Sequence, residues 1–313
     1  VVQIARAIAR QPTELPKKGA RFHFDLPGAV QGFIPEEGPL SKGTTTVENV
    51  VGHSESGNRS LAIRYRGLAD GRVARIVRET FPDLAPVGSY RMVATPTLYP
   101  GQTVRARVEA DARNHRPVSV RLFIKVFGPE DRLVELYGPS VTLAAGVTHL
   151  LEWRVEAPTG CPIAWVGVEA RSNERADGTL YLDWLTWGGS PKISLAPPDH
   201  AGMRWLQAWT QACSNVLGSS DHDYRLIQDE GVGLLLHGSR DWRDYAFSAA
   251  LTPHLAKSFG IAGHVQGLKR YYALRLVEGN RAQLARELDG TRVLSETPYT
   301  WSLYQTYRFD LEF

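Results

Sequence analysis

The stretch DWRDYAFSAALTPHLAKSFGIAGHVQGLKRYYALRLV, residues 241–277, decides the fold of this chain. Apolar and polar residues alternate in three runs, at 244–251, 260–266 and 270–277, which is the two-residue period of a strand with one face against a core. A proline follows the first run and ends it, and Gly267 lies in the short turn between the other two. The pattern predicts three adjacent antiparallel strands.

Length and composition extend this expectation to the whole chain. With 313 residues and 43% hydrophobic content, the chain is long enough for two domains that each bury a core. Its 29 glycines and 19 prolines fall in many short runs, which favours all-β sandwiches over helical bundles. The sequence therefore predicts an all-β fold of two tandem β-sandwiches, preceded by a short N-terminal helix.

Charge and cysteine content exclude several classes of partner. The net charge is +3, from 36 basic and 33 acidic residues that are scattered along the chain, so we expect no nucleic-acid partner. No run approaches the roughly 20 apolar residues of a membrane-spanning helix, and no signal peptide is visible. We expect no membrane partner, and we expect Cys161 and Cys213 to be free thiols. The low cysteine content and the lack of a visible signal peptide favour a cytoplasmic location. A chain that opens on Val1 fits an excised piece, however, and for such a piece a missing leader says little about where the parent protein is located.

Breaks in the periodic pattern predict four segments. The run VVQIARAIAR at residues 1–10 has a helical period and ends at Gln11-Pro12. A proline-containing linker separates the two sandwiches, and Pro197-Pro198 makes it stiff. The run at 202–217 fits either a strand or a short helix, and we favour a strand. The predicted segments are 1–20 (helix and linker), 21–191 (first sandwich), 192–201 (linker) and 202–313 (second sandwich).

The first sandwich resembles the jelly rolls of carbohydrate-binding modules. The resemblance rests on TPTLYPGQTVRARVEADARN and GTLYLDWLTWGG, and on the opening Phe22-His23-Phe24-Asp25. It implies a structural Ca²⁺ held by aspartates of the first and last strands, which makes Asp25 and Asp183 the metal candidates. The alternative is that Asp183 accepts hydrogen bonds from loop backbone without a metal. Period-two runs are clearest at 103–111, 118–127, 149–155 and 164–170.

Aromatic residues give further ligand candidates in this sandwich. A regular strand over 181–187 would place Tyr181, Asp183, Leu185 and Trp187 on one face and Leu182, Trp184 and Thr186 on the other. At least one of these tryptophans must then belong to the core. Sugar recognition needs flat apolar faces beside polar groups, so Trp187 and Tyr99 are kept as ligand candidates. Structural use of both rings is the alternative.

The second sandwich carries a resemblance of its own. WRDYAFSAALTPHLA, GIAGHVQGLKRYYAL and Leu288-Asp289-Gly290 are similar to the concanavalin A-like (laminin G-like) domain at the C-terminal end of some bacterial ADP-ribosylglycohydrolase family proteins. The resemblance implies a preceding all-α catalytic domain, and residues 1–10 would be its last helix; an arm on the first sandwich is the alternative. Alternation at 307–313 runs to the last residue, so the chain either stops inside its second sandwich or borrows closing strands from another chain. We favour a fragment whose second sandwich is incomplete.

No catalytic motif is present in the sequence. Glu-x-Asp-x-x-Glu, Gly-x-Ser-x-Gly, a Walker loop and the acidic metal cluster of ADP-ribosylglycohydrolases are all absent. Asp229-Glu230 would point to opposite faces of a strand, and Asp221-His222-Asp223 fits a polar turn better than a metal site.

The sequence therefore predicts a non-catalytic ligand-binding or scaffolding region, with a glycan or an ADP-ribosylated macromolecule as its partner. Two alternatives stay open: an assembly module without a small ligand, and a carbohydrate-active enzyme of the concanavalin A-like class. Cationic and aromatic residues of the second sandwich could supply stacking and anion contacts. These ligand candidates are Trp242, Arg243, His264, Gln266, Arg270 and Tyr272.

Overall fold

The computed structural model describes residues 20–55, 57–69, 71–80, 97–158, 160–196, 202, 204–218, 224–239 and 242–313. Almost all regular structure in these residues is strand, which confirms the predicted all-β fold. The helix predicted at residues 1–10 lies outside the described residues. The described residues divide into two compact units, one that ends at Trp209 and one that begins at Thr210.

The first unit is a two-layer antiparallel sandwich of eleven described strands. They are β1 (Phe22–His23), β2 (Ile34–Pro35), β3 (Thr45–Val51), β4 (Arg59–Leu68), β5 (Val73–Glu79), β6 (Thr103–Ala110), β7 (Val118–Phe127), β8 (Leu133–Leu143), β9 (Thr148–Arg154), β10 (Ile163–Arg171) and β11 (Ala176–Gly188). One sheet has the order β3-β4-β11-β6-β9, with β1 paired to β11, and is called the six-stranded sheet. The other, called the five-stranded sheet, has the order β2-β5-β10-β7-β8.

Side chains at alternate positions of these strands fill the space between the two sheets. On β7, for example, Val120, Leu122 and Ile124 are buried in the core, together with Val166 and Val168 of the neighbouring β10. Burying such side chains removes apolar surface from water and is the main favourable term in folding. The predicted alternation at 103–111, 118–127, 149–155 and 164–170 is confirmed by β6, β7, β9 and β10.

A bulge in β11 corrects the predicted faces of its aromatic residues. The register of β11 against β6 shifts between Leu182 and Trp184. Because an extra residue reverses the alternation beyond it, Leu182 and Trp187 both point into the core. Trp187 therefore does not share a face with Asp183, as a regular strand would require.

Among its described residues, the second unit has a four-stranded sheet and three two-stranded ones. Its strands are β12 (Thr210–Ala212), β13 (Asn215–Gly218), β14 (Tyr224–Ile227), β15 (Leu234–Leu236), β16 (Ala246–Leu251), β17 (Ser258–Gly267), β18 (Arg270–Val277), β19 (Arg281–Leu288), β20 (Thr291–Pro298) and β21 (Tyr307–Glu312). The sheet order is β17-β18-β19-β20, beside the pairs β16-β21, β12-β15 and β13-β14. Ile261 and Leu276 of the four-stranded sheet pack against Phe309 of β21, so two layers enclose this core.

The prediction of three adjacent strands at 241–277 is wrong in one respect. β17 and β18 pair as expected, with a two-residue turn at Leu268-Lys269, but β16 pairs with β21. Phe247 of β16 packs onto the core that Ile261 enters from the four-stranded sheet. After Leu251 the chain therefore passes from the layer that contains β16 to the layer that contains β17. The apolar faces of these two strands are both buried in the core between the layers. The predicted turn at Asp289-Gly290 joins β19 to β20.

The strand favoured for 202–217 is also corrected in part. Residues Arg204–Gln207 form a short helix, α1, before β12 and β13. Asp131 Oδ1 accepts a hydrogen bond from the Arg204 N–H at 2.7 Å, which satisfies a backbone donor at the start of the helix. Trp205 is buried, and Ala208 packs against Phe127.

Two further expectations concern cysteines and membrane segments. Cys161 is buried and Cys213 is half-buried, and both are free thiols as predicted. In the part of the chain that the structure describes, no helix has the length and apolar character needed to cross a membrane.

Candidate functional site

The outer face of the five-stranded sheet carries a dense set of ion pairs that we call the ionic face. The strand register places its residues in rows, with Arg75, Glu169 and Arg121 side by side on β5, β10 and β7. Residues opposite one another on antiparallel strands share a face, so these side chains are neighbours. The ionic face consists of Glu36, Arg75, Arg121, Phe123, Lys125, Glu135, Tyr137, Gly167, Glu169 and Arg171.

Glu169 is the centre of this face and is 0% exposed. Its carboxylate accepts hydrogen bonds from Arg75 Nε at 2.6 Å and from Arg121 Nε at 2.8 Å. Arg171 contacts the same carboxylate. A buried carboxylate must be paired with cations and hydrogen-bonded, and three guanidinium groups meet that requirement here.

Arg75 joins this centre to a second carboxylate. Its two terminal nitrogens donate to Glu135 at 2.9 and 3.0 Å, a bidentate pair that fixes both side chains. The same guanidinium donates to Glu36 at 3.2 Å and to the Tyr137 hydroxyl at 2.9 Å. Arg75 thus holds three carboxylates and a phenol in one arrangement.

Lys125 completes the charge balance of the face. Its ammonium group contacts Glu36 and lies 3.3 Å from Glu135. Three carboxylates stand against four cations, which leaves one positive charge on the whole face. The ionic face is therefore nearly neutral, although it is rich in donors and acceptors.

The pKa of Glu135 shows how firmly this carboxylate is held in its charged form. Burial alone would raise it, but hydrogen bonds from Tyr137 and Arg75 outweigh burial and lower the pKa of Glu135 to about 2. Burial and the hydrogen bond to Glu135 raise the pKa of Tyr137. A general acid needs a carboxyl whose pKa is raised, so the Glu135 environment is opposite to that of a glycosidase acid.

Aromatic rings lie among these charges. Phe123 is buried on the outer side of the sheet, and a side chain at Gly167 would meet its ring at 2.6 Å. Because Gly167 has no side chain, the Phe123 ring can occupy this space. Tyr137 keeps 37% of its surface exposed, and the Arg121 guanidinium carbon lies 3.6 Å from its ring centroid. The Tyr137 ring is thus partly exposed, contacts Arg121 and lies beside fixed polar groups. Such an arrangement is suited to sugar recognition.

Two of the predicted ligand candidates are not available to a ligand. Tyr99 and Trp187 are only 3% and 4% exposed. The Trp187 indole N–H donates to the Thr97 carbonyl at 2.7 Å, and its ring lies 5.5 Å from that of Phe22. Both rings belong to the interior of the first unit, so the alternative of structural use applies to them.

Asp25 and Asp183 approach each other near the loop that follows β3. Asp25 Oδ1 accepts from the Asn58 N–H at 3.0 Å, and Asp183 Oδ2 accepts from the Glu55 N–H at 2.9 Å. Burial raises the pKa of Asp183, and the charges of Glu55 and Asp25 act in the same direction. Loop-backbone hydrogen bonds to Asp183 are thus present, as the metal-free alternative predicted.

These residues fit a calcium ion only in part. Arg107 lies 3.4 Å from both Asp183 and Glu55 and partly neutralises them. Within the described ranges, no group of three or more histidine, cysteine, aspartate or glutamate side chains could hold a metal ion. Ca²⁺ takes 6 to 8 oxygens, so most of its ligands would have to be backbone carbonyls.

In the second unit, three of the six predicted ligand residues meet around Tyr245 and Phe313, which were not predicted. Tyr245 lies 6.0 Å from Trp242 and 5.5 Å from His264, measured between ring centroids. Phe313 lies 4.4 Å from His264 and 6.3 Å from Tyr272. The structure therefore joins Trp242, His264 and Tyr272 into one aromatic cluster.

The other three candidates are exposed on the same unit. Arg270 forms an ion pair with Asp289 at 2.9 Å, while Arg243 and Gln266 face solvent. The segment 221–223, for which the sequence favours a polar turn over a metal site, lies outside the described residues. Asp229 and Glu230 are exposed and lie outside the strands.

The ionic face was missed because its residues are far apart in sequence. Arg75 and Glu169 are separated by 94 positions. Each occupies an outward position of an alternating strand, and such positions are typical of solvated surface. The sequence signal for the ionic face is a charged residue at regular outward positions of several strands. This signal indicates a cluster only when the order of the strands in the sheet is known.

Comparisons with known proteins give likenesses of structure only. No protein-family model and no curated protein matches the chain. A carbohydrate-binding module studied for promiscuous specificity has a TM-score of 0.40 at 15% identity, and the alignment covers 54% of this chain and 62% of that chain, so less than two thirds of that protein is spanned.

Two xylan-binding domains of carbohydrate-binding-module family 22 are also similar. One has a TM-score of 0.40 at 15% identity and covers 57% of this chain and all 100% of its own. The other, from Paenibacillus barcinonensis, has a TM-score of 0.38 at 15% identity and covers 52% of this chain and 94% of its own. TM-scores this low establish no ligand for this chain.

Proposed function

We propose that this chain is a non-catalytic binding region and that its first unit binds a neutral glycan on the ionic face. The observation that carries the proposal is Glu169, a fully buried carboxylate on the outer face of a sheet, held by three arginines. Buried ion pairs add little to stability, because desolvation offsets their attraction. We therefore attribute the fixed geometry of the Glu169 ion pairs to recognition of a ligand.

The chemistry of the face matches a ligand with many hydroxyl groups. Each sugar hydroxyl can donate one hydrogen bond and accept others, and the face offers guanidinium donors beside carboxylate acceptors. The near balance of charge favours a neutral ligand over a polyanion. Tyr137 supplies the apolar surface on which the carbon-bound hydrogens of a sugar ring can rest.

A glycan array followed by isothermal titration calorimetry tests the proposal. We expect saturable binding of at least one neutral oligosaccharide and an affinity about tenfold lower in Tyr137→Ala, because a central aromatic contact is lost. Tyr304→Ala is the matched control, since that ring is exposed on the second unit. Empty titrations with every neutral glycan, or unchanged affinity in Tyr137→Ala, would contradict the proposal and favour an assembly module.

Structural calcium at Asp25 and Asp183 stays a prediction. If Ca²⁺ binds there, it should raise the melting temperature of the wild-type chain and leave that of Asp25→Asn unchanged. Asp25 is the better position for this test because it is less buried than Asp183. Equal melting temperatures of the wild-type chain in EDTA and in Ca²⁺ would remove the calcium prediction.

An ADP-ribosylated partner and an ADP-ribosylglycohydrolase parent also stay hypotheses. The support for such a ligand is the aromatic cluster of the second unit, whose rings could stack on an adenine. Titration of ADP-ribose into the wild-type chain, Trp242→Ala and Arg270→Ala tests this. Saturable binding that both substitutions weaken is the expected result, and a flat titration would exclude this ligand.

A further inference from the structure

Two arginines of the second unit have like charges placed directly opposite each other. Arg286 on β19 is the register partner of Arg292 on β20. Like charges at opposite positions of an antiparallel pair repel each other and destabilise the sheet. Within the described part of the chain, neither arginine side chain has a hydrogen bond or an ion pair.

Arg286 differs in its side-chain partners from four other arginines of the second unit. Its Nε atom is buried and donates to no acceptor among the described residues. A buried donor without a partner costs free energy, so it is rarely left in this state without a reason. Four other arginines of the unit do have carboxylate partners, in the pairs Arg270–Asp289, Arg275–Glu287, Arg281–Glu296 and Arg308–Asp310.

Aromatic groups continue the same row across the sheet. Tyr272 is the register partner of Arg286, and Gly263 is the register partner of Tyr272. Phe313 lies where a side chain of Gly263 would be, and its ring centroid is 6.3 Å from that of Tyr272. Tyr272 is 36% exposed, so the row contains a ring accessible to solvent at the position beside Arg286.

We propose that this row, Gly263, Tyr272, Arg286 and Arg292, binds a phosphate or sulfate ester carried on a sugar ring. Two guanidinium groups present planar sets of N–H donors that match the oxygens of a tetrahedral oxyanion. The anion would supply an acceptor for Arg286 Nε and remove the repulsion between the two arginines. Tyr272 would contact the sugar. This site goes beyond the neutral glycan site, because it lies on the other unit and requires a charged ligand.

Calorimetry on the full chain with glucose, glucose 6-phosphate and glucose 6-sulfate tests the proposal. We expect at least one ester to bind about tenfold or more tightly than glucose, and the tighter ester identifies the source of the oxyanion. Arg286→Gln and Arg292→Gln should each weaken ester binding about tenfold, since each removes charge-assisted hydrogen bonds. The matched control Arg308→Gln removes one charge elsewhere on the unit and should bind like the wild-type chain.

The melting temperature of Arg292→Gln keeps the proposal testable if Arg286→Gln does not fold. Arg292 is exposed, so Arg292→Gln should fold, and loss of the repulsion should raise its melting temperature. Sodium sulfate should then raise the melting temperature of the wild-type chain more than that of Arg292→Gln. Equal affinities for all three sugars, or an unchanged ester affinity in Arg292→Gln, would overturn the site. Tyr137→Ala should keep the ester affinity, so failure of the neutral glycan site is distinguishable.

Discussion

The guanidinium carbon of Arg121 lies 3.6 Å from the ring centroid of Tyr137, while the same guanidinium donates to the buried carboxylate of Glu169. One side chain thus ties an exposed ring to the centre of the ionic face. A cation over an aromatic face is attracted by the ring quadrupole, and the contact limits the positions that Tyr137 can adopt. A ligand would meet a ring whose orientation is set before binding, which lowers the entropic cost of recognition.

Removal of the Glu169 charge should destabilise the first unit. Glu169→Gln leaves three arginines around a neutral amide, and breaking a buried ion pair from one side costs about 3–5 kcal/mol. Hydrogen exchange of the β10 amides measures the free energy of opening in this unit. The control Glu152→Gln removes an exposed partner of Arg105 and should cost no more than about 1 kcal/mol. Equal small effects of both substitutions would mean that the network contributes nothing to stability.

Acid should weaken the same network in a defined pH range. The pKa of Glu135 is lowered to about 2 in the folded state, against about 4.3 in an unfolded chain. Because the folded value is the lower one, the stabilisation is fully present above pH about 4.3 and is lost as the pH falls towards 2. Glu135→Gln should therefore be less stable than the wild-type chain at pH 7 and nearly equal to it at pH about 2. A stability difference that does not change with pH would contradict the assigned pKa.

The close packing at Gly167 gives a prediction that depends on shape alone. An alanine methyl group there would collide with the Ile76 carbonyl and with the Phe123 ring. We expect Gly167→Ala to destabilise the first unit by about 1–3 kcal/mol, as overpacking does elsewhere. Gly188→Ala is the matched control, since this glycine also lies in a strand of the first unit and has no atom within 4 Å of the added position. Chemical denaturation of both variants should separate them, and equal midpoints would contradict the described packing.

Local patterns predicted the strands, and they did so for a physical reason. Period-two alternation on β7 and β10 reflects one apolar face of each strand that packs in the core between the two sheets. The Asp289-Gly290 turn uses residues that tolerate a positive φ, which is 53° for Asp289. Pairing of β16 with β21 depends instead on which faces share a core, and this is a long-range property. The bulge after Leu182 moved Trp187 inwards although the sequence there alternates regularly.

The functional surfaces were harder to predict than the strands. Glu169 and Arg75 look like ordinary outward residues until the strand order places them in contact. Arg286 and Arg292 likewise become a pair only when the register of β19 and β20 is known. The aromatic residues selected from sequence were partly core, because a large ring meets the needs of packing and of ligand contact equally well.

Chemical-shift mapping by NMR of the full chain, with the tightest neutral oligosaccharide from the array, tests the central claim most directly. Backbone amides of β5, β7, β8 and β10 should shift on saturation, with the largest changes near Tyr137 and Glu169. Tyr137→Ala should reduce these changes at the same ligand concentration. Shifts confined to the six-stranded sheet or to the second unit, or no shifts at all, would contradict glycan binding by the ionic face.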